Sequence, residues 1–212
     1  PILITQHGFN TSGVSDDQTT TGNLDGYNDS YSAQALAAAG FIPGADIASA
    51  GLHFRWPSQA PGQADAYLAQ GQPFGVLNAQ GVRTVGFLGA ATGQAAGGEG
   101  LLVFTDGTTQ PFTLHLDDWT LNGGTTHLTH GNSIAATMPY HNTANGARHE
   151  ATMLYVAHVT VPDGKTLRSI TLPAAPTHGH LHIFAIGTDV GAASTITVGS
   201  LWSAFSAFFA AA

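Results

Sequence analysis

Phe112-Thr-Leu-His-Leu-Asp-Asp-Trp119 sets Phe112, Leu114 and Leu116 at alternate positions. Side chains along a strand point to opposite faces in turn, so these three share one sheet face. The stretch reads as part of a half-buried strand over Thr109–Trp119. Comparable signals recur on both sides of it, at Leu52–Trp56, Gly75–Asn78, Val82–Leu88, Gly100–Thr105, Ser133–Tyr140, Thr152–Val161, Thr166–Leu172 and His180–Gly187. Asp106-Gly107 and Pro162-Asp-Gly-Lys165 each separate two of them. Both are hairpin signals, because Gly takes positive φ cheaply and Pro presets the first turn residue. Many short strands with Gly and Pro turns predict an all-β, jelly-roll-like β-sandwich.

The ends add to this pattern. Pro1–Thr5 is apolar and β-branched, a strand signal. Ser30 or Ser32 can cap one short N-terminal helix running to about Ala39, with Gly40 as its stop and Leu36 and Tyr31 on its buried side. The run Ser200-Leu-Trp-Ser-Ala-Phe-Ser-Ala-Phe-Phe-Ala-Ala-Ala212 has helical spacing at Leu201, Phe205, Phe208 and Phe209, which suggests a C-terminal helix. It is too short to cross a bilayer unaided, which takes about 20 apolar residues. The expected division is a sandwich module over 1–190 and an aromatic tail over 191–212. Gly86-Phe-Leu-Gly-Ala-Ala-Thr-Gly93 and Gly97-Gly-Glu-Gly100 read as turns at strand ends.

At 212 residues one sandwich suffices, and 43% hydrophobic residues can bury a core. Charged residues make up only 8%, against about 25% in ordinary soluble proteins. Net charge is −8, and the five basic residues, Arg55, Arg83, Arg148, Lys165 and Arg168, form no cluster. Nucleic acid needs clustered cations, so it is not an expected partner. The absence of cysteine removes disulfides, thiolate metal sites and cysteine nucleophiles. Low charge with abundant Gly, Ala, Thr and Asn suits an exported protein, and a chain opening on Pro1 rather than Met suggests processing or trimming. A secreted, extracellular location is expected.

Eleven histidines invite a metal reading. His178, His180 and His182 have period two and would share a face of one strand; His127 and His130 are three apart; His141, His149 and His158 are scattered. None has the helical spacing of a zinc site. Adjacent Asp117 and Asp118 on a strand would point to opposite faces and could not serve one site. Asp16, Asp17 and Asp25 lie in a Gly/Asn/Ser loop that suits Asx-turns or a structural Ca²⁺ ion held by those three carboxylates. No nucleophile elbow or phosphate loop is present, so no catalytic activity is expected. Sugar recognition uses flat aromatic faces with hydroxyls held by Asp, Asn or His. Asp25, Tyr31, Trp119, His141 and Asn142 are the residues of that kind expected near a ligand.

Several stretches resemble a known family in order and spacing. They include Phe9-Asn-Thr-Ser-Gly-Val-Ser-Asp-Asp17, Asp25-Gly followed by Tyr31-Ser-Ala-Gln-Ala-Leu-Ala-Ala-Ala-Gly40, and Gly51-Leu-His-Phe-Arg-Trp-Pro57. Phe104-Thr-Asp-Gly-Thr-Thr-Gln110, Ala136-Thr-Met-Pro-Tyr-His-Asn-Thr143 and His180-Leu-His-Ile-Phe-Ala-Ile186 continue the match. Together they resemble the galactose-binding-like β-sandwich accessory modules found C-terminal in secreted bacterial glycoside hydrolases of the α-mannosidase type. The resemblance implies a non-catalytic carbohydrate-binding module whose partner is a polysaccharide or glycan. The alternative expectation is a structural subunit of an extracellular filament or surface layer, a homo-oligomer assembling through Pro1–Thr5 and Ile196–Phe209.

Overall fold

A computed structural model describes residues 2–6, 8–191 and 194–197. Among these residues the fold is an all-β sandwich of two large sheets and one small one. With strands numbered along the chain, the first sheet runs β10 (Thr109–Leu116), β9 (Ala96–Phe104), β15 (Leu167–Thr171), β7 (Pro73–Leu77), β1 (Leu3–Gln6) and β17 (Ser194–Thr197). The second runs β11 (Ser133–Met138), β14 (Thr152–Thr160), β8 (Thr84–Thr92), β16 (His180–Thr188), β5 (Leu52–Arg55) and β4 (Asp46–Ser49), with β6 (Tyr67–Leu68) also paired to β16. The small sheet runs β13 (Gly146–Arg148), β12 (His141–Thr143), β3 (Ser30–Ser32) and β2 (Val14–Ser15).

Alternation explains how the large sheets meet. On β10, Phe112, Leu114 and Leu116 are buried while Pro111 and Thr113 are exposed. The Phe112 ring stacks on Phe87 of β8 across the core at 5.5 Å. Nearby, Tyr67 of β6 meets Phe74 of β7 edge-on at 5.0 Å. Fully burying a Phe side chain is worth about 1.5–3 kcal/mol, so such cross-sheet pairs hold the layers together. The middle strands β8 and β16 are buried along nearly their whole length and do not alternate.

The two glycine-rich stretches expected as turns lie inside β8 and β9. Packing demands glycine there. A Cβ on Gly89 would sit 2.1 Å from the carbonyl oxygen of His182 on the neighbouring strand. The helix α1 (Ala33–Ala38) forms as expected, with the Ser32 hydroxyl accepting from the Ala35 N–H at 3.0 Å. Leu36 and Tyr31 are its buried contacts.

One expectation about the ends changes. β1 is paired on both sides, antiparallel to β7 and parallel to β17. The sandwich therefore includes Ser194–Thr197, beyond the boundary expected at 190. Pro1 and residues 198–212, with the C-terminal helix expected over them, lie outside the described residues. No helix among the described residues is long and apolar enough to cross a membrane.

Candidate functional site

Four of the five residues expected around a ligand come together, but in the interior, while Asp25 lies partly exposed in its turn. Tyr31, Trp119, His141 and Asn142 are 0%, 5%, 1% and 0% exposed. The Trp119 ring lies 5.3 Å edge-on from Tyr31 and 4.7 Å from His141. Tyr31 donates its hydroxyl hydrogen to the Met153 carbonyl at 2.6 Å, and burial pushes its pKa well above the usual phenol value. Burial also lowers the His141 pKa; its Nδ1 is 3.1 Å from Thr152 Oγ1, and its Nε2 is 3.7 Å from the Asp29 carboxylate. Asn142 donates to the Ser15 carbonyl and hydroxyl. These four side chains pin the small sheet to the large ones, and none offers an open face to a polysaccharide. Aromatic and polar types near loops looked like a binding surface; their large apolar area put them inside instead.

The three carboxylates expected to hold Ca²⁺ are each engaged by local donors. Asp16 accepts from the Gln18 N–H at 2.9 Å and the Gln34 amide at 2.8 Å. Asp17 accepts from Ser32 Oγ and from Tyr140 Oη. Asp25 accepts from the Tyr27 and Asn28-flanking Asp29 N–H groups at 2.8 and 3.1 Å. Each carboxylate is occupied by donors in turn and cap geometry. Among the described residues no three His, Cys, Asp or Glu side chains form a metal set.

A different site forms where β10 ends. The strand stops at Leu116, so Asp117 and Asp118 leave it and line one cleft, contrary to the opposite faces expected of them. The cleft is about 560 Å³, and His115, His127, His130 and His178 also line it. His178 is not on β16 with His180 and His182, as its spacing suggested; it sits before that strand at φ 74°. No Lys or Arg is among the described residues lining the cleft. On one side stands a turn of four successive left-handed residues, Leu121, Asn122, Gly123 and Gly124, at φ 51°, 53°, 71° and 76°. Leu121 and Asn122 cost about 1–2 kcal/mol each in that conformation. Asp118 Oδ1 offsets this by accepting from Thr120 N, Thr120 Oγ1 and Asn122 N at 2.9–3.0 Å.

Asp117 is 1% exposed. Its Oδ1 accepts from the Thr129 N–H at 3.1 Å and the Thr129 hydroxyl at 3.0 Å, and His130 Nδ1 lies 3.1 Å away. Its Oδ2 is buried and has no hydrogen-bond partner among the described residues. A buried carboxylate oxygen without a donor is costly, so this atom is primed for one. The His115 ring stacks on His130 with centroids 4.6 Å apart and planes 11° apart. Stacked rings carry their in-plane nitrogens side by side, so this pair does not converge on a metal. Burial, then the neighbouring His130, lowers the His115 pKa and favours the neutral ring. The sequence did hold a signal for this pair: His115 and Asp117 are two apart and share the polar side of the strand pattern.

Gly97 lies under the stack, since a Cβ there would come within 1.8 Å of the His115 ring. Gly97→Ala is expected to displace His115 and lower stability by about 1–3 kcal/mol, read as a drop in melting temperature with altered histidine ring resonances. Unchanged histidine spectra would remove Gly97 from this role.

The family model described as AziU2-like beta-sandwich domain matches residues 4–191. That span takes in β1 through β16, and with them the cleft. No curated protein matches the chain significantly.

Proposed function

The chain belongs to the AziU2-like β-sandwich family, and from that premise we propose that it is a secreted, non-catalytic carbohydrate-binding module. Its sugar site is the cleft of His115, Asp117 and His130 rather than the buried Tyr31–Trp119 cluster. The observation that carries this reading is the roomy cleft lined by His115, Asp117 and His130, with the partnerless Asp117 Oδ2 buried in its wall. Sugars present many O–H donors, and a buried carboxylate is a strong acceptor for them. The imidazole rings supply flat surface against sugar C–H groups. Asp118 is committed to holding the left-handed turn, which makes it a scaffold rather than a second acid. Export is supported by the low charge and by the abundance of Gly, Ala, Thr and Asn.

An accessory role beside a glycoside hydrolase, on a galactose-binding-like plan, is the finer form of the proposal and rests on the sequence resemblance. Retention on polysaccharide affinity gels and a glycan array test it. Selective retention that Asp117→Asn abolishes, with the variant still folded, is the expected result. A chain that passes every polysaccharide unretarded would refute the proposal. The filament reading has less support, because its N-terminal contact strand β1 is already paired on both edges within its own sheet. Its other contact, 196–209, lies mostly outside the described residues.

A further inference from the structure

We infer that the cleft selects amino sugars: its bound residue carries a protonated primary amine that donates to Asp117 Oδ2. This rests on the carbohydrate-binding reading above and narrows it to one chemical class.

Asp117 Oδ1 is engaged by Thr129 and lies 3.1 Å from His130 Nδ1, and the Thr129 hydroxyl lies 2.9 Å from the same ring nitrogen. Asp117 Oδ2, buried in the wall of the cleft, is the acceptor left without a donor, and the described residues lining the cleft lack the Lys or Arg that would recognise a uronate or sulfate. An ammonium group has three donors and no acceptor, which complements a carboxylate oxygen better than a hydroxyl or an acetamide. A charge-assisted N–H···O⁻ bond is roughly twice as strong as a neutral one. The net charge of −8 acts in the same direction by attracting cations to the whole molecule.

The test uses the full chain in calorimetric titrations with four probes: glucosamine oligomers, the matching N-acetylglucosamine oligomers, cello-oligosaccharides and ethanolamine. Glucosamine oligomers are expected to bind at least about tenfold tighter than each of the others, a difference near 1.4 kcal/mol. Asp117→Asn, which keeps the shape and removes the charge, is expected to abolish that preference. Should this variant unfold, His130→Ala at the more exposed partner provides the second test, with the same loss expected. Equal binding of acetylated or neutral oligomers would overturn the amine selection and leave the carbohydrate-binding reading standing. Equal binding of ethanolamine would overturn the sugar part of the inference. Failure of every sugar to bind would overturn both.

Discussion

Asp65→Asn is expected to stabilise the protein by about 4 kcal/mol above pH 7 and by almost nothing below pH 4. Asp65 is 3% exposed, and burial raises its pKa from 3.8 to about 7 despite a 2.7 Å hydrogen bond from the Gly13 N–H. Between those values the folded state holds a proton that the unfolded state has released. Stability from this group is therefore fully present below pH 3.8 and is lost as pH rises through about 7. The asparagine oxygen can still accept from Gly13 while carrying no charge to desolvate. His182 gives both proteins the opposite slope, because burial lowers its pKa to about 3 and acidification must charge it. The difference between wild type and variant isolates Asp65. Urea unfolding at intervals from pH 4 to 8 measures it, and a pH-independent difference would contradict the assignment.

Trp119→Ala is expected to destabilise the fold by about 3–5 kcal/mol, the range for removing a buried Trp or Phe. Trp119 is 5% exposed and packs against Tyr31 and His141, while its backbone carbonyl accepts from the Met153 N–H at 2.6 Å. It joins the small sheet to the large ones, so its loss empties the junction. An exposed sugar platform would respond differently, losing affinity with little change in stability. Trp119→Phe is expected to recover part of the loss. The midpoint of denaturant unfolding reads the effect, and an unchanged midpoint would return Trp119 to the ligand surface.

The strong alternation of Phe112, Leu114 and Leu116 made the sandwich legible in the sequence, because a half-buried strand writes its two faces at period two. Ser32 was legible as a cap for the same local reason. The interior of β8 and β9 was not, since glycine signals turns locally and close approach only in three dimensions. Gly89 and Gly97 are glycines because of His182 and His115, which are 93 and 18 positions away along the chain. The two- and three-residue strands of the small sheet are too short to show alternation.

The site was half written in the chain. His115 and Asp117 stood two apart on the polar side of the deciding stretch, yet His130 and His178 reach them only through loops. The residues chosen for sugar contact were the right cluster in the wrong place. Tyr31, Trp119 and His141 do meet, but their apolar area carries them beneath the surface.

Amide chemical-shift mapping of the isotopically labelled chain against a bound oligosaccharide tests the central claim most directly. The proposal expects saturable shifts confined to 94–97, 115–118, 122–130 and 177–178, around the cleft. Shifts centred on the small sheet at 30–32 and 141–143, or none at saturating sugar, would contradict it.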